Sequence, residues 1–160
     1  MRSILWTLLL PGVQAGYVPW TFFGLNRARF EARDPLHWLA VVLIVLGAAL
    51  LLACIFEFAR SGRGTLSPAD PPRTLVVRGP YRYVRNPMYV GVTAIDLGEW
   101  LLTRSPAMLT YLACWFVGVN LFVMLFEEPT LRSKFGESYE RYTRSVRRWI
   151  PSLRPRDPTG

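Results

Sequence analysis

One stretch limits this chain more than any other. From Pro35 to Ala59 it reads "PLHWLAVVLIVLGAALLLACIFEFA", nearly unbroken aliphatic sequence. About 20 apolar residues in a helix cross the hydrocarbon core of a bilayer, and a helix satisfies its own backbone there. Trp38 near one end suits an interface anchor, and Glu57 near the other end reaches the headgroups.

Three other segments extend the pattern. Ile4 to Leu25, "ILWTLLLPGVQAGYVPWTFFGL", is long enough to span, with kinks expected at Pro11 and Pro19. Met1-Arg2 before a leucine-rich core, with "VQA" after it, also resembles a signal peptide. However, the apolar, aromatic-rich sequence runs on past Ala15. Met88–Thr103 and Pro106–Phe126 are separated only by "RS" before Pro106, which predicts a tight helical hairpin. Its first arm carries Asp96 and Glu99. An ionisable residue at membrane depth faces the bundle or water. Asn120 on the other arm is the expected partner of Asp96, and Glu99 lies near the outer end, where solvent is expected.

The fold expected is all-α: a polytopic membrane bundle of about four transmembrane helices in a single domain over 1–160. The spans fall near 4–25, 36–59, 88–103 and 106–126. Charge sets the orientation. The Arg60–Arg85 loop holds six arginines and one acid, and the segment after Phe126 holds seven arginines and Lys134. The positive-inside rule then puts the N terminus, the 60–87 loop and the C-terminal segment in the cytoplasm of a multi-pass cell-membrane protein. Within that last segment Leu131, Phe135, Tyr139, Tyr142, Val146 and Trp149 recur at helical spacing. An amphipathic cytoplasmic helix is expected over 129–149, lying on the membrane surface or packed over the 60–87 loop.

Several function classes drop out. The net charge of +8 is carried almost wholly by arginine, and the arginines sit beside apolar spans. That pattern points to anionic lipid as partner and away from nucleic acid. Two isolated cysteines, Cys54 and Cys114, give neither a disulfide framework nor metal spacing. With His37 the only histidine, no metal site and no histidine relay is expected.

The 60–87 loop ends in "GPYRYVRNPMYVG", Gly79 to Gly91, with three tyrosines, two arginines and two prolines. Tyrosines 81, 83 and 89 offer stacking or cation–π faces. Arg82 or Arg85 suits a carboxylate, bound bidentately. Pro87 favours the first turn of the next helix, so Asn86 falls near its N-cap, where free backbone N–H groups bind ligands. After the hairpin come Glu127 and Glu128, acceptors for hydroxyl or amino groups, and then "FGESYERYTRSVRRWIP".

This order of elements, from about Arg73 to Pro151, resembles the isoprenylcysteine carboxyl methyltransferase and phospholipid methyltransferase family of integral-membrane enzymes. The resemblance implies a cytoplasmic site for S-adenosylmethionine and methyl transfer to a lipid-like, membrane-embedded small molecule. By position it implies that Thr74, Leu75, Val76, Tyr81, Asn86, Pro87, Tyr89 and Glu127 hold the cofactor, with Glu128 the alternative to Glu127. Arg85 and Glu128 are the candidate catalytic residues, Glu128 as the nearest candidate for a base. Arg147 is the candidate for a substrate headgroup. The chain departs from the family at two points. Asn86 stands where the family has histidine, and "FVMLF" precedes the glutamates where the prenylcysteine enzymes carry an arginine. A membrane reductase of the steroid-reductase type and a non-enzymatic membrane subunit are the competing readings.

Overall fold

The computed structural model describes residues 12–25, 28–61 and 75–155; Pro11, the start of the expected 4–25 span and the 62–74 stretch of the loop lie outside them. Those residues form helices and connecting segments, with no strand among them. A short helix α1 (Val18–Phe22) precedes the long α2 (Pro35–Ser61). The hairpin consists of α3 (Pro87–Thr103) and α4 (Pro106–Phe122), followed by α5 (Glu128–Phe135) and α6 (Glu137–Ser145).

Two helical runs, Pro35–Glu57 and Pro106–Phe135, are long and apolar enough to cross a membrane. Only 17% of each apolar window is buried within the protein, whereas the core helix of a soluble domain is mostly buried. Val42, Val45, Leu46, Leu52 and Phe56 on α2, and Val117, Leu121, Leu125 and Phe126 along the second run, point outwards. Such a belt suits lipid, where apolar surface has no cost of exposure to water.

α2 packs antiparallel on α3 through small residues. A methyl group added at Gly47 would meet the Gly91 carbonyl oxygen at 2.5 Å, and one at Gly98 would meet the Ala40 carbonyl oxygen at 2.7 Å. Backbones this close are the usual way membrane helices associate, because packing replaces the hydrophobic drive. The hairpin turn is as tight as "RS" implies. Arg104 takes left-handed backbone (φ 49°) and Ser105 caps α4 by accepting from Met108 N–H. Arg104 also pairs with Asp34 at the head of α2, tying the same end of the bundle together.

The polar groups on the first arm differ from expectation. Asp96 is fully buried, and its carboxylate accepts from Gln14 Nε2 at 2.7 Å. Asn120 instead donates to Phe116 O one turn back on its own helix. A local backbone acceptor is always within reach of an i−4 side chain, so Asn120 has no need of the other arm. Glu99 is 4% exposed, not solvated. Tyr111 from α4 donates to the Gln14 backbone oxygen at 2.9 Å, completing a polar cluster inside the bundle.

Two prolines impose the same local device. Residues Val13–Tyr17 and Val123–Glu127 each form one π-helical turn, followed after one further residue by Pro19 and Pro129. A proline ring clashes with the carbonyl four residues back. Widening the turn to i→i+5 bonding, Val18 N–H to Val13 O and Glu128 N–H to Val123 O, removes the clash.

The expected single helix over 129–149 is broken. Gly136 adopts φ 51°, ψ −126°, which splits α5 from α6, and the chain turns extended at Val146. Val146 and Trp149 therefore leave the helical stripe. The stripe still describes what is buried: Tyr139, Tyr142 and Val146 form a core against Leu75 and Val77. The segment thus packs over the end of the 60–87 loop.

Candidate active site

The motif loop enters through Gly79, the first residue of a 3₁₀ turn at Gly79–Arg82. Glycine is required there twice over. Its φ is +51°, and a Cβ would lie 2.8 Å from Glu57 Cγ at the end of α2. Tyr81, half-buried, then meets the Cys54 thiol of α2, and its backbone oxygen accepts from Tyr142 Oη at 2.8 Å.

The segment after α6 pairs along the motif. Arg85 N–H donates to Arg147 O at 2.9 Å, Asn86 Nδ2 to Arg148 O at 3.3 Å, and Ser152 N–H to Tyr83 O at 2.9 Å. Asn86 is buried and is the N-cap residue of α3, as expected. Its side chain does not cap the helix, which leaves the first-turn amides of Met88 and Tyr89 open. Pro87 is at the start of that turn and fully buried.

The π-turn before Pro129 presents two consecutive glutamates to different partners. Glu127 Oε2 accepts from Tyr89 Oη at 3.1 Å. Glu128, 7% exposed, is gripped by two guanidiniums. Arg148 binds it bidentately, Nε to Oε1 at 2.7 Å and Nη2 to Oε2 at 2.8 Å, and Arg85 Nη1 lies 3.2 Å from Oε1. The hydrogen bonds to Glu128 hold the Arg148 guanidinium above its ordinary pKa. Burial raises the hydroxyls of Tyr81, Tyr142 and Tyr139, the last to about 12, with the Glu128 charge adding to the effect on Tyr139. These phenols stay neutral donors throughout the physiological range.

The expected site residues thus fall in one region at the foot of the hairpin. Arg85, Asn86, Pro87, Tyr89, Glu127 and Glu128 are joined directly or through one partner. Leu75 packs beside them against α6, and Val76 is half-buried on the same segment. Arg147 is exposed and contributes its backbone oxygen to the loop pairing. Thr74 lies outside the described residues. Nothing in the sequence singles out Arg148, yet it closes the site around Glu128. Sequence reasoning also missed Trp115 and Trp149, whose rings lie 6.4 and 6.5 Å from that of Tyr89. Met108, Leu112, Trp115 and Val119 recur at helical spacing, a signal that sets Trp115 on the inner face of α4.

A family model described as phospholipid methyltransferase matches residues 35–138. The protein-S-isoprenylcysteine O-methyltransferase of Schizosaccharomyces pombe is 36% identical over 90 residues, 54% of this chain and 37% of that protein. The enzyme of the same name from Xenopus laevis is 27% identical over 143 residues, 84% of this chain and 48% of its own. That from Tribolium castaneum is 28% identical over 142 residues, 84% of this chain and 49% of its own. The chain spans about half the length, or less, of these curated relatives. No solved structure matches it.

Proposed function

The chain belongs to the phospholipid methyltransferase family, and on that footing we propose that it is a membrane methyltransferase using S-adenosylmethionine to methylate a lipid-like acceptor at the cytoplasmic surface. In this reading the apolar segments make four spans, and the arginine distribution supports a cytoplasmic motif loop and C-terminal segment.

One observation carries the reading. Two motifs far apart in the sequence meet through Tyr89–Glu127 and Arg85–Glu128–Arg148 at the start of an uncapped helix. The donor set fits the cofactor chemically. Open amides on Met88 and Tyr89 suit its carboxylate. Glu127 keeps one carboxylate oxygen free of Tyr89 for an amino or ribose hydroxyl donor. Tyr81 and Tyr89, neutral and aromatic, suit an adenine or a sulfonium. Leu75, Val76, Asn86 and Pro87 complete the wall, with Thr74 preceding it in sequence. When bound, such a cofactor supplies a methyl group already activated on sulfur.

The protein's own part is placement and exclusion of water. Glu128 accepts from two guanidiniums, so its role here is to lock the tail onto the motif loop and so position Tyr89 and Glu127. Arg85 shares that role, and its buried Nε has no hydrogen-bond partner among the described residues. Exposed Arg147 suits an anionic headgroup at the membrane surface. Calorimetry of the detergent-purified protein with S-adenosylhomocysteine tests the reading. Binding is expected, and its absence up to millimolar ligand would sink the proposal.

A further inference from the structure

Among the described residues three buried side-chain oxygens have no hydrogen-bond partner, and none of them belongs to the candidate active site: Gln14 Oε1, Asp96 Oδ1 and Glu99 Oε2. Asp96 and Glu99 stand one turn apart on the same face of α3, in the half nearer the hairpin tip. Asp96 is fully buried, and its second oxygen accepts from Gln14 Nε2 at 2.7 Å. Glu99 is 4% exposed and has no hydrogen bond or ion pair with a described residue.

No cation faces the pair from the described residues. The turn at Gln14 brings an amide, and α4 brings the Tyr111 phenol, already committed to the Gln14 backbone oxygen at 2.9 Å. From α2 come Ala40 and Ile44, which close on Gly98 between the two acids. At the tip Arg104 is paired with Asp34, and His37 Nδ1 accepts from the Glu31 N–H. Two ionised carboxylates placed so would repel each other without a counter-charge, which an apolar bundle does not tolerate. One proton removes the conflict. It makes one acid neutral and adds an O–H donor where only acceptors stand. The Gln14 amide decides which acid that is. It donates to Asp96 and so favours the ionised form there, which leaves the proton to Glu99.

A cavity of about 430 Å³ lies at the hairpin tip, walled by Phe23, Asp34, His37, Leu102, Thr103 and Arg104 among others. Leu102 and Thr103 follow Glu99 by one turn of α3. Phe23 lies 4.9 Å from the ring of Tyr111, whose hydroxyl binds Gln14. The cavity thus adjoins the cluster from two elements, and its polar walls suit water. We propose that Asp96 and Glu99 form a proton-binding site at the end of the bundle away from the motif loop: Glu99 holds the proton as a neutral acid, Asp96 stays ionised on the Gln14 amide, and the proton exchanges with water through this cavity. The site stands apart from methyl transfer and does not depend on that reading.

The test is infrared spectroscopy of the full chain in detergent micelles at neutral pH, where a protonated carboxyl and an ionised carboxylate absorb at separate frequencies. Each acid replaced by its amide must remove intensity from one band or the other. Glu99→Gln should remove protonated-carboxyl intensity, and Asp96→Asn should remove ionised-carboxylate intensity. Loss of ionised intensity with Glu99→Gln overturns the proposal. If Glu99→Gln does not fold, Asp96→Asn still decides, because loss of protonated intensity in that variant puts the proton on the wrong acid. The route is read by transfer into heavy water. The Glu99 band should shift as its proton exchanges for deuterium, and Thr103→Trp, which crowds the cavity, should slow that shift several-fold. A rate unchanged by Thr103→Trp removes the cavity as the path.

Discussion

Tyr89 donates its hydroxyl to Glu127 at 3.1 Å, joining the first turn of α3 to the π-turn at the foot of α4. The bond spans the open base of the hairpin and fixes where the carboxylate points. Glu127→Gln keeps an acceptor for Tyr89 but removes the charge, so S-adenosylhomocysteine affinity should fall about tenfold. Tyr89→Phe, which only frees the carboxylate to move, should cost about threefold. Calorimetry on both variants checks the order, and a variant pair with wild-type affinity would remove Glu127 from the cofactor site.

Glu128 is the counter-charge for both Arg85 and Arg148. Glu128→Ala leaves two guanidiniums unpaired, one of them with 13% side-chain exposure. Breaking a fully buried pair costs about 3–5 kcal/mol, and the 30% exposure of Arg148 reduces this to about 2–3 kcal/mol here. Thermal unfolding in detergent should show a clear drop for Glu128→Ala. Arg148→Lys should also lower stability, because a lysine loses the bidentate geometry.

At Gly79 two effects coincide and can be separated. Gly79→Ala meets both the left-handed φ and the Glu57 side chain, and should destabilise by roughly 1–3 kcal/mol. Adding Glu57→Ala should recover the steric part only. Full recovery in the double variant would show that the backbone carries no strain.

Alkaline pH should loosen the packing of α6 on the motif loop through its tyrosines. Folded Tyr139 holds its proton to about 12, against an ordinary value of 10.0. Between those limits the folded state binds more protons than the unfolded one, so stability falls as pH rises. The loss should approach about 2–3 kcal/mol by pH 12 and be absent below pH 9. Tyr139→Phe should flatten this dependence in thermal melts at pH 8, 10 and 11.5.

The Asp96–Gln14 bond predicts a contrast between two substitutions. Asp96→Asn keeps an acceptor for Gln14 and should fold as well as the wild type. Asp96→Leu orphans the Gln14 amide in the bundle and should cost about 1–3 kcal/mol. Equal stability of the two would show that the bond carries no weight.

Much of the site was legible because its parts are local. Pro87 sets the start of α3 and places Asn86 at its N-cap, and consecutive Glu127 and Glu128 stand out at the end of an apolar run. The bundle's apolar faces were equally plain in α2. What the sequence hid depends on tertiary contact or on one backbone angle. Gly136 looked like an ordinary residue within a helical stripe, yet its positive φ breaks that stripe in two. The partner of Asp96 lies 82 residues away, and no periodicity points to Gln14. Arg148 was indistinguishable from its neighbour Arg147 until the tail turned back on the motif, leaving one exposed and the other locked to Glu128.

The pairing of the tail with the motif loop also fixes an order of assembly. Arg147, Arg148 and Ser152 supply the partners of Arg85, Asn86 and Tyr83, and all three are synthesised after both arms of the hairpin. On the ribosome both arms of the hairpin are therefore made while its base is still unlatched. Translation past Ser152 completes these pairings, so a nascent chain halted before that residue carries both arms of the hairpin and lacks the last bond of the latch, the one from Ser152 N–H to Tyr83 O.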